Sequence, residues 1–175
     1  EENAILLNTS TFASGNNTQL VMNLGLFNKE NLSLIKECSL VLDVKNEGSG
    51  ILDIATSIVE LSSNRYCVAW MNPGESIVYI TVINVNADFT ISKEKEKLAI
   101  DFAHSCENFA ITIDATCNII ILSAYSSTIS NFIVALVDSI SLNVGTIDNS
   151  ISIEPIIDSI KQLRVLSIPG DRKST

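Results

Sequence analysis

The chain has 175 residues, 46% of them hydrophobic and 18% charged, with a net charge of −9. This balance excludes a disordered chain, and the length suits one domain able to bury about 70% of its unfolded surface. Diffuse acidity repels phosphates and excludes nucleic acid as a partner. The longest apolar run, Phe132 to Val137, is far below the ~18 residues of a membrane helix, so no transmembrane segment is expected.

Residues 1–26 are expected to form an extended arm ahead of a domain over 27–175. Glu1 in place of Met marks, on this reading, a chain from whose front something was removed, either a signal peptide or an expression segment. Three glycosylation sequons cluster early, at Asn8-Thr9-Ser10, Asn16-Asn17-Thr18 and Asn31-Leu32-Ser33. They make Asn8, Asn16 and Asn31 candidate surface attachment points for glycans. Within the arm, Leu20, Met22, Leu24 and Leu26 recur at every second position.

Period two dominates the chain beyond the arm. Cys38, Leu40, Leu42 and Val44 alternate, as do Leu98, Ile100 and Phe102, then Phe109, Ile111 and Ile113. The longest run spans Phe132 to Val144. Such spacing puts one row of side chains inward from each strand, and β-branched residues suit the pleat. "SIVYITVINV" (Ser76 to Val85) and "NIIIL" (Asn118 to Leu122) are apolar on both faces, as are central strands packed on both sides or strands covered by a neighbour. "NEGSG", "NPGES", "NVNAD" and "DNS" punctuate the runs, and Pro73-Gly74 suits the middle of a type II turn. Short strands with such breaks predict an all-β sandwich of two layers, jelly-roll types included, or a barrel.

The helical signals are few. Ser92 to Glu107 fits a helix through Leu98 and Phe102 and fits a strand equally well. Glu154 to Leu163 fits a short helix with Pro155 in its first turn. A rival α+β arrangement would make helices of Ser92–Glu107 and Thr128–Leu142.

Cys38, Cys67, Cys106 and Cys117 form no C-x-x-C pair. Their even number points to two disulfides, Cys38–Cys67 and Cys106–Cys117 being the first connectivity to consider and four free thiols the alternative.

The order of strand, glycine turn, strand and Pro-Gly turn over Cys38 to Asn86 resembles immunoglobulin-like sandwiches of bacterial and archaeal surface proteins. The matching residues are Val44, Asn46, Gly48, Pro73, Gly74 and Ser76. "TFASGNNTQLVMNL" (Thr11 to Leu24) followed by that strand resembles TasA-like matrix-fibre and archaeal bundling-pilus subunits. Their usual "PGD" is replaced here by "NKENLSLIKE". The resemblance implies an extracellular, cell-surface subunit that polymerises head to tail by giving its N-terminal strand to another copy. Leu20, Met22, Leu24 and Leu26 are the candidate donor residues, since alternate side chains can drop into a neighbour's pockets. The other assignment makes Leu20 to Leu26 the first strand of the chain's own domain.

No catalytic constellation is present, so no enzyme activity, cofactor or metal is assigned. His104, the one histidine, lacks a partner motif for a triad. Asp101, Asp114 and Asp138 sit between apolar residues and are expected to face outward. "DVKNEG" and "NVNAD" are faint calcium-loop signals. Trp70 is expected in the core, and "KEKEK" (Lys93 to Lys97) as a solvated charged turn. The expected role is a filament or pilus subunit. The alternative is a monomeric surface adhesion or binding module, or a partner of a motility machine.

Overall fold

The structure is a computed structural model that describes residues 3–46, 54–72, 75–105, 108–114, 116, 118–125 and 130–153. Among the described residues there are strands and turns but no helix, and every strand pairing is antiparallel. The fold is all-β.

An N-terminal sheet runs β1 (Asn3–Ser14), β2 (Asn17–Asn28), β3 (Leu34–Asn46), in that order. A central sheet holds β4 (Ala55–Ser62), β5 (Arg65–Met71) and β6 (Ile77–Val85). Its last edge is shared by two short strands. β7 (Ile91–Lys93) pairs with one end of β6 and β8 (Leu98–Asp101) with the other. A C-terminal sheet is ordered β12-β11-β10-β9, from β9 (Asn108–Ile113), β10 (Ile119–Tyr125), β11 (Ser130–Val137) and β12 (Val144–Ile153).

The sheets stack in three layers, one more than the sequence predicts. Val68, Trp70, Ile83 and Val85 of the central sheet pack against Leu20, Met22, Leu24 and Leu42 of the N-terminal sheet. The opposite face, with Cys67, Ala69, Met71, Val78, Ile80 and Val82, packs against Phe109, Ile111, Ile119, Ile121, Ala135 and Val137 of the C-terminal sheet. The two-sided apolar pattern of β6 therefore has the expected cause. The similar pattern of β10 does not: Ile119 and Ile121 are fully buried, whereas Ile120 and Leu122 lie half-buried on an outer face.

The described part of Ser92 to Glu107 holds the end of β7 and all of β8 rather than a helix, and Ile100 and Phe102 are buried from it. The long run from Phe132 is interrupted: β11 ends at Val137 and a turn follows. The boundary drawn at residue 26 falls inside β2. The stretch Glu154 to Leu163 and the turn residues Gly48, Pro73 and Gly74 lie outside the described residues.

Two turns share one design. After β2, Asn28 Oδ1 accepts from the Glu30 and Asn31 amides, and the Leu32 amide donates to Asn28 O at 2.9 Å. After β11, Asp138 Oδ1 accepts from the Ile140 and Ser141 amides, and the Leu142 amide donates to Asp138 O at 2.9 Å. Each turn sets its leucine in the left-handed region, with φ 56° at Leu32 and 57° at Leu142. Their surroundings differ, for Leu32 is 75% exposed and Leu142 only 8%.

This contrast gives a paired prediction. Leu32→Gly relieves the left-handed strain without losing packing and should raise unfolding free energy by about 0.5–1 kcal/mol in a urea titration. Leu142→Gly relieves the same strain but empties a core position, and should destabilise by about 1–3 kcal/mol. Equal effects of the two changes would contradict the assignment.

Candidate functional site

The residues proposed to carry assembly all lie in the N-terminal sheet. β2 is its middle strand, paired with β1 on one side and β3 on the other. Leu20, Met22 and Leu24 point to the central sheet and are buried against Val68, Trp70 and Ile83 of the same chain. Leu26, farther along, is half-buried. In this structure the alternating row thus fills a groove of its own domain.

β1 is the outer strand. Its register with β2 runs unbroken from Asn3↔Asn28 to Ser14↔Asn17, with Gly15 at φ 63° in the turn. Inner-facing Leu7 packs on the core and the Thr9 hydroxyl meets that of Thr56 in β4 at 2.7 Å. The other edge of β1 pairs with no strand among the described residues. An edge of this kind offers alternate N–H and C=O groups to any extended chain.

The usual protections are missing from β1. Its sequence, NAILLNTSTFAS, contains no charged residue and no proline. It carries no bulge. Ile5, Leu6 and Phe12 are 47%, 54% and 53% exposed. The other outer strands differ. β3 carries Lys36, Glu37, Asp43 and Lys45 and two register shifts against β2. β12 has two register shifts against β11, β4 has one against β5, and β9 is six residues long.

On the outer face of the same sheet lies a shallow hollow of about 540 Å³ between Leu6, Asn8, Asn23, Phe27, Leu34 and Glu37. Gly25 forms its floor. A Cβ there would stand 2.6 Å from Phe27 Cε2, so the absent side chain lets the ring lie over the strand. The sequon asparagines are exposed on this sheet: Asn8 in β1, Asn16 at the β1–β2 turn and Asn31 at the β2–β3 turn.

A bulge in β3 redirects the next residues. Leu20 pairs with Asp43 and Val21 with Val41, leaving Leu42 as the extra residue. Asp43 and Lys45 consequently face the central sheet, and Val44, expected inside, is 46% exposed. Bulges re-aim side chains in this way. Asp43 Oδ1 accepts from Lys97 Nζ at 2.6 Å and its Oδ2 from Trp70 Nε1 at 3.2 Å. Trp70 is buried and stacked on Tyr79, over which the Lys97 ammonium also lies. Lys45 Nζ donates to Glu75 Oε1 at 3.0 Å, and Asn72 Nδ2 donates to the same oxygen at 2.7 Å.

The "KEKEK" run is solvated as expected, with Lys93, Glu94, Glu96 and Lys97 exposed, and its side chains also link the layers. Lys93 Nζ donates to Leu42 O at 3.0 Å, and Lys97 reaches Asp43. Glu94 holds Arg65 through two hydrogen bonds of 2.7 and 2.9 Å, and Arg65 also donates to Ser139 O at the edge of the C-terminal sheet. These hydrogen bonds raise the Arg65 guanidinium above its ordinary value and hold the Glu94 carboxyl below the usual range. The sequence signal was period two inside the run: Lys93, Lys95 and Lys97 on one row, Glu94 and Glu96 on the other.

The Cys38–Cys67 pairing is not made; both are free thiols. Cys38 packs against the core between the N-terminal and central sheets, and Cys67 lies in the core on the other side of the central sheet. A sheet stands between them, well beyond disulfide geometry. Cys106 and Cys117 lie outside the described residues. Burial pushes the Cys67 thiol up to about 12.

The carboxylates named from sequence are turn-builders. Asp114 accepts from the Thr116 hydroxyl and amide and from the Asn118 amides, which draw its carboxyl down to about 2. Asp138 is lowered by the Ser141 amide first, Asp101 by the Ala103 amide first, and Asp88 of "NVNAD" by the Thr90 hydroxyl first. His104 is exposed in the loop after β8. No group of three or more His, Cys, Asp or Glu side chains suited to a metal ion occurs among the described residues, and no helix among them is long and apolar enough to cross a membrane. Comparison of the chain with protein-family models, with curated proteins and with solved structures finds no match.

Lowered carboxyls contribute stability above their unfolded values and lose it as pH falls through the folded ones. For Asp114 that window runs from about 4 down to about 2. Unfolding free energy should fall across that window, and Asp114→Ala should show a smaller fall. A flat profile in the parent would contradict the turn assignment. In thiol labelling of the native protein, Cys67 should react only as fast as the domain unfolds, because the thiolate is the reactive form. Rapid labelling of Cys67 would contradict its place in the core.

Proposed function

We propose that this chain is a structural subunit of an extracellular filament or pilus, joined to its neighbours by β-strand addition at the N-terminal sheet. The observation that carries the reading is the edge of β1: twelve residues, uncharged, unbulged, and lined by exposed Ile5, Leu6 and Phe12. Soluble monomers ordinarily blunt such an edge, and the other outer strands here are blunted. An extended strand from a second copy would hydrogen-bond along β1 and lay alternate side chains beside Leu6 and Phe12. A head-to-tail contact between two different patches propagates as a fibre when its rotation does not close a ring. The sequence resemblance of Thr11 to Leu24 to fibre and pilus subunits supports the same reading. The core role of Leu20, Met22 and Leu24 refines it. They anchor the hairpin that presents β1, and strand exchange between copies would move them only together with that hairpin.

The hollow floored by Gly25 favours a second reading, a monomeric adhesion module whose ligand lies on the outer face of the sheet. Chemistry at that face would be an apolar group against Phe27 and Leu34 with polar contacts to Asn8, Asn23 and Glu37.

Charged gatekeepers separate the two. Leu6→Lys with Phe12→Lys changes only exposed positions, so stability should move by about 0.5 kcal/mol or less per site. Electron microscopy should show fibres from the parent and none from the variant. Fibres that persist in the variant would contradict β1 as the joint. A parent that remains monomeric, or stops at a closed dimer, would contradict the filament reading.

A further inference from the structure

Lys45, Asn72 and Glu75 meet where the N-terminal sheet ends against the central one, and the filament reading leaves them unused. The β3 bulge turns Lys45 inward at the end of its strand. Asn72 directly follows β5, on the same side as Trp70. The Glu75 amide donates to Asn72 O at 3.1 Å, which brings the glutamate beside the asparagine. The Lys45 amine and the Asn72 carboxamide nitrogen then contact one oxygen, Glu75 Oε1, at 3.0 and 2.7 Å.

An ion pair at a sheet end needs none of this arrangement. Surface pairs contribute little, and here a neutral amide is buried beside the pair. Asn72 is 5% exposed, and its Oδ1 has no hydrogen-bond partner among the described residues. A buried carbonyl oxygen with no donor among the described residues calls for an explanation.

We propose that Lys45 and Asn72 are the two partners of a self-formed side-chain amide cross-link, with Glu75 as the proton carrier. The Lys45 amine nitrogen attacks Asn72 Cγ, and the Cγ–Nζ bond forms. Glu75 takes a proton from the attacking nitrogen and delivers it to Nδ2. The Cγ–Nδ2 bond breaks and Nδ2 leaves as ammonia. Atoms balance as amine plus carboxamide giving substituted amide plus ammonia, with no change of oxidation state and no external reactant. Glu75 contacts both the nucleophile and the leaving group, as a proton carrier in acyl transfer must.

The next residue protects the electrophile. Asn72 precedes Pro73, whose nitrogen carries no hydrogen. The following backbone amide, which ordinarily competes for an asparagine side chain, has no proton to lose here. The product would tie β3 of the N-terminal sheet covalently to the end of β5 in the central sheet. That cross-link spans two layers otherwise joined by side-chain packing and a few polar contacts. It stands whether or not the chain polymerises.

The test is the intact mass of the full chain, made in a host without glycosylation and measured after reduction. The cross-linked protein should be about 17 Da lighter than its sequence, the mass of one ammonia. Tryptic digestion should fail to cut after Lys45 and should yield one peptide pair joined through Lys45 and Asn72. Lys45→Arg retains the charge beside Glu75 and should restore the full mass, and Glu75→Gln should do so too. A parent at full sequence mass with free cleavage after Lys45 would overturn the proposal. So would a loss of about 18 Da mapped to Lys97 and Asp43, since water would then be the leaving group at the other lysine–carboxyl contact. Full loss of ammonia in Glu75→Gln would overturn the role given to Glu75.

Discussion

The whole architecture depends on burying both faces of β5 and β6. Cys67, Ala69 and Met71 face one way while Val68 and Trp70 face the other, and all are buried. A strand that is apolar on both sides cannot lie against water on either. Each large side chain so buried contributes roughly 1.5–3 kcal/mol. Two covering sheets are therefore required, and the chain supplies one from each end. The N-terminal hairpin is a structural lid for this reason: without Leu20, Met22 and Leu24, Trp70 and Ile83 would be uncovered.

The same demand explains the chemistry at the rim. The N-terminal sheet must end over Trp70, whose indole N–H needs an acceptor once buried. The β3 bulge supplies Asp43 for that bond and carries Lys45 inward with it. Lys97 then neutralises Asp43, and Glu75 meets Lys45. Thus one extra backbone residue in β3 creates both polar clusters that bind the outer layer to the central one. Among the described residues, the opposite edge of that layer, β1, carries no such cluster beyond the Thr9–Thr56 contact. It is held by β2, and its other edge pairs with no strand among the described residues.

Much of the strand content was legible because apolar residues at every second position are a local property. The two-faced pattern of β6 correctly marked a central strand. The third layer was not legible, because period two records that a face is buried and not what buries it. β10 shows the limit, with four consecutive apolar residues in an outer sheet. The bulge escaped too, since Cys38, Leu40, Leu42 and Val44 alternate without a break, while the backbone shifts at Leu42. The cysteines misled for a related reason: Cys38 and Cys67 are both inward, but inward to different cores. The candidate joint was only partly visible. Leu20 to Leu26 drew attention by its apolar rhythm, whereas the open strand is β1, whose mark is the absence of charge. Lys45, Asn72 and Glu75 come together only through the bulge and the turn after β5.

The central sheet is the point at which the account is most exposed. Hydrogen exchange followed by mass spectrometry on the monomeric protein, strand by strand, reads it directly. The amides of β5 and β6 should exchange slowest of all, through opening close to global unfolding, and those of β1 fastest among the long strands. If β5 and β6 exchanged as readily as the outer strands, or if β1 were protected as strongly as β2 in the isolated chain, the covered middle layer and the open edge would both be wrong.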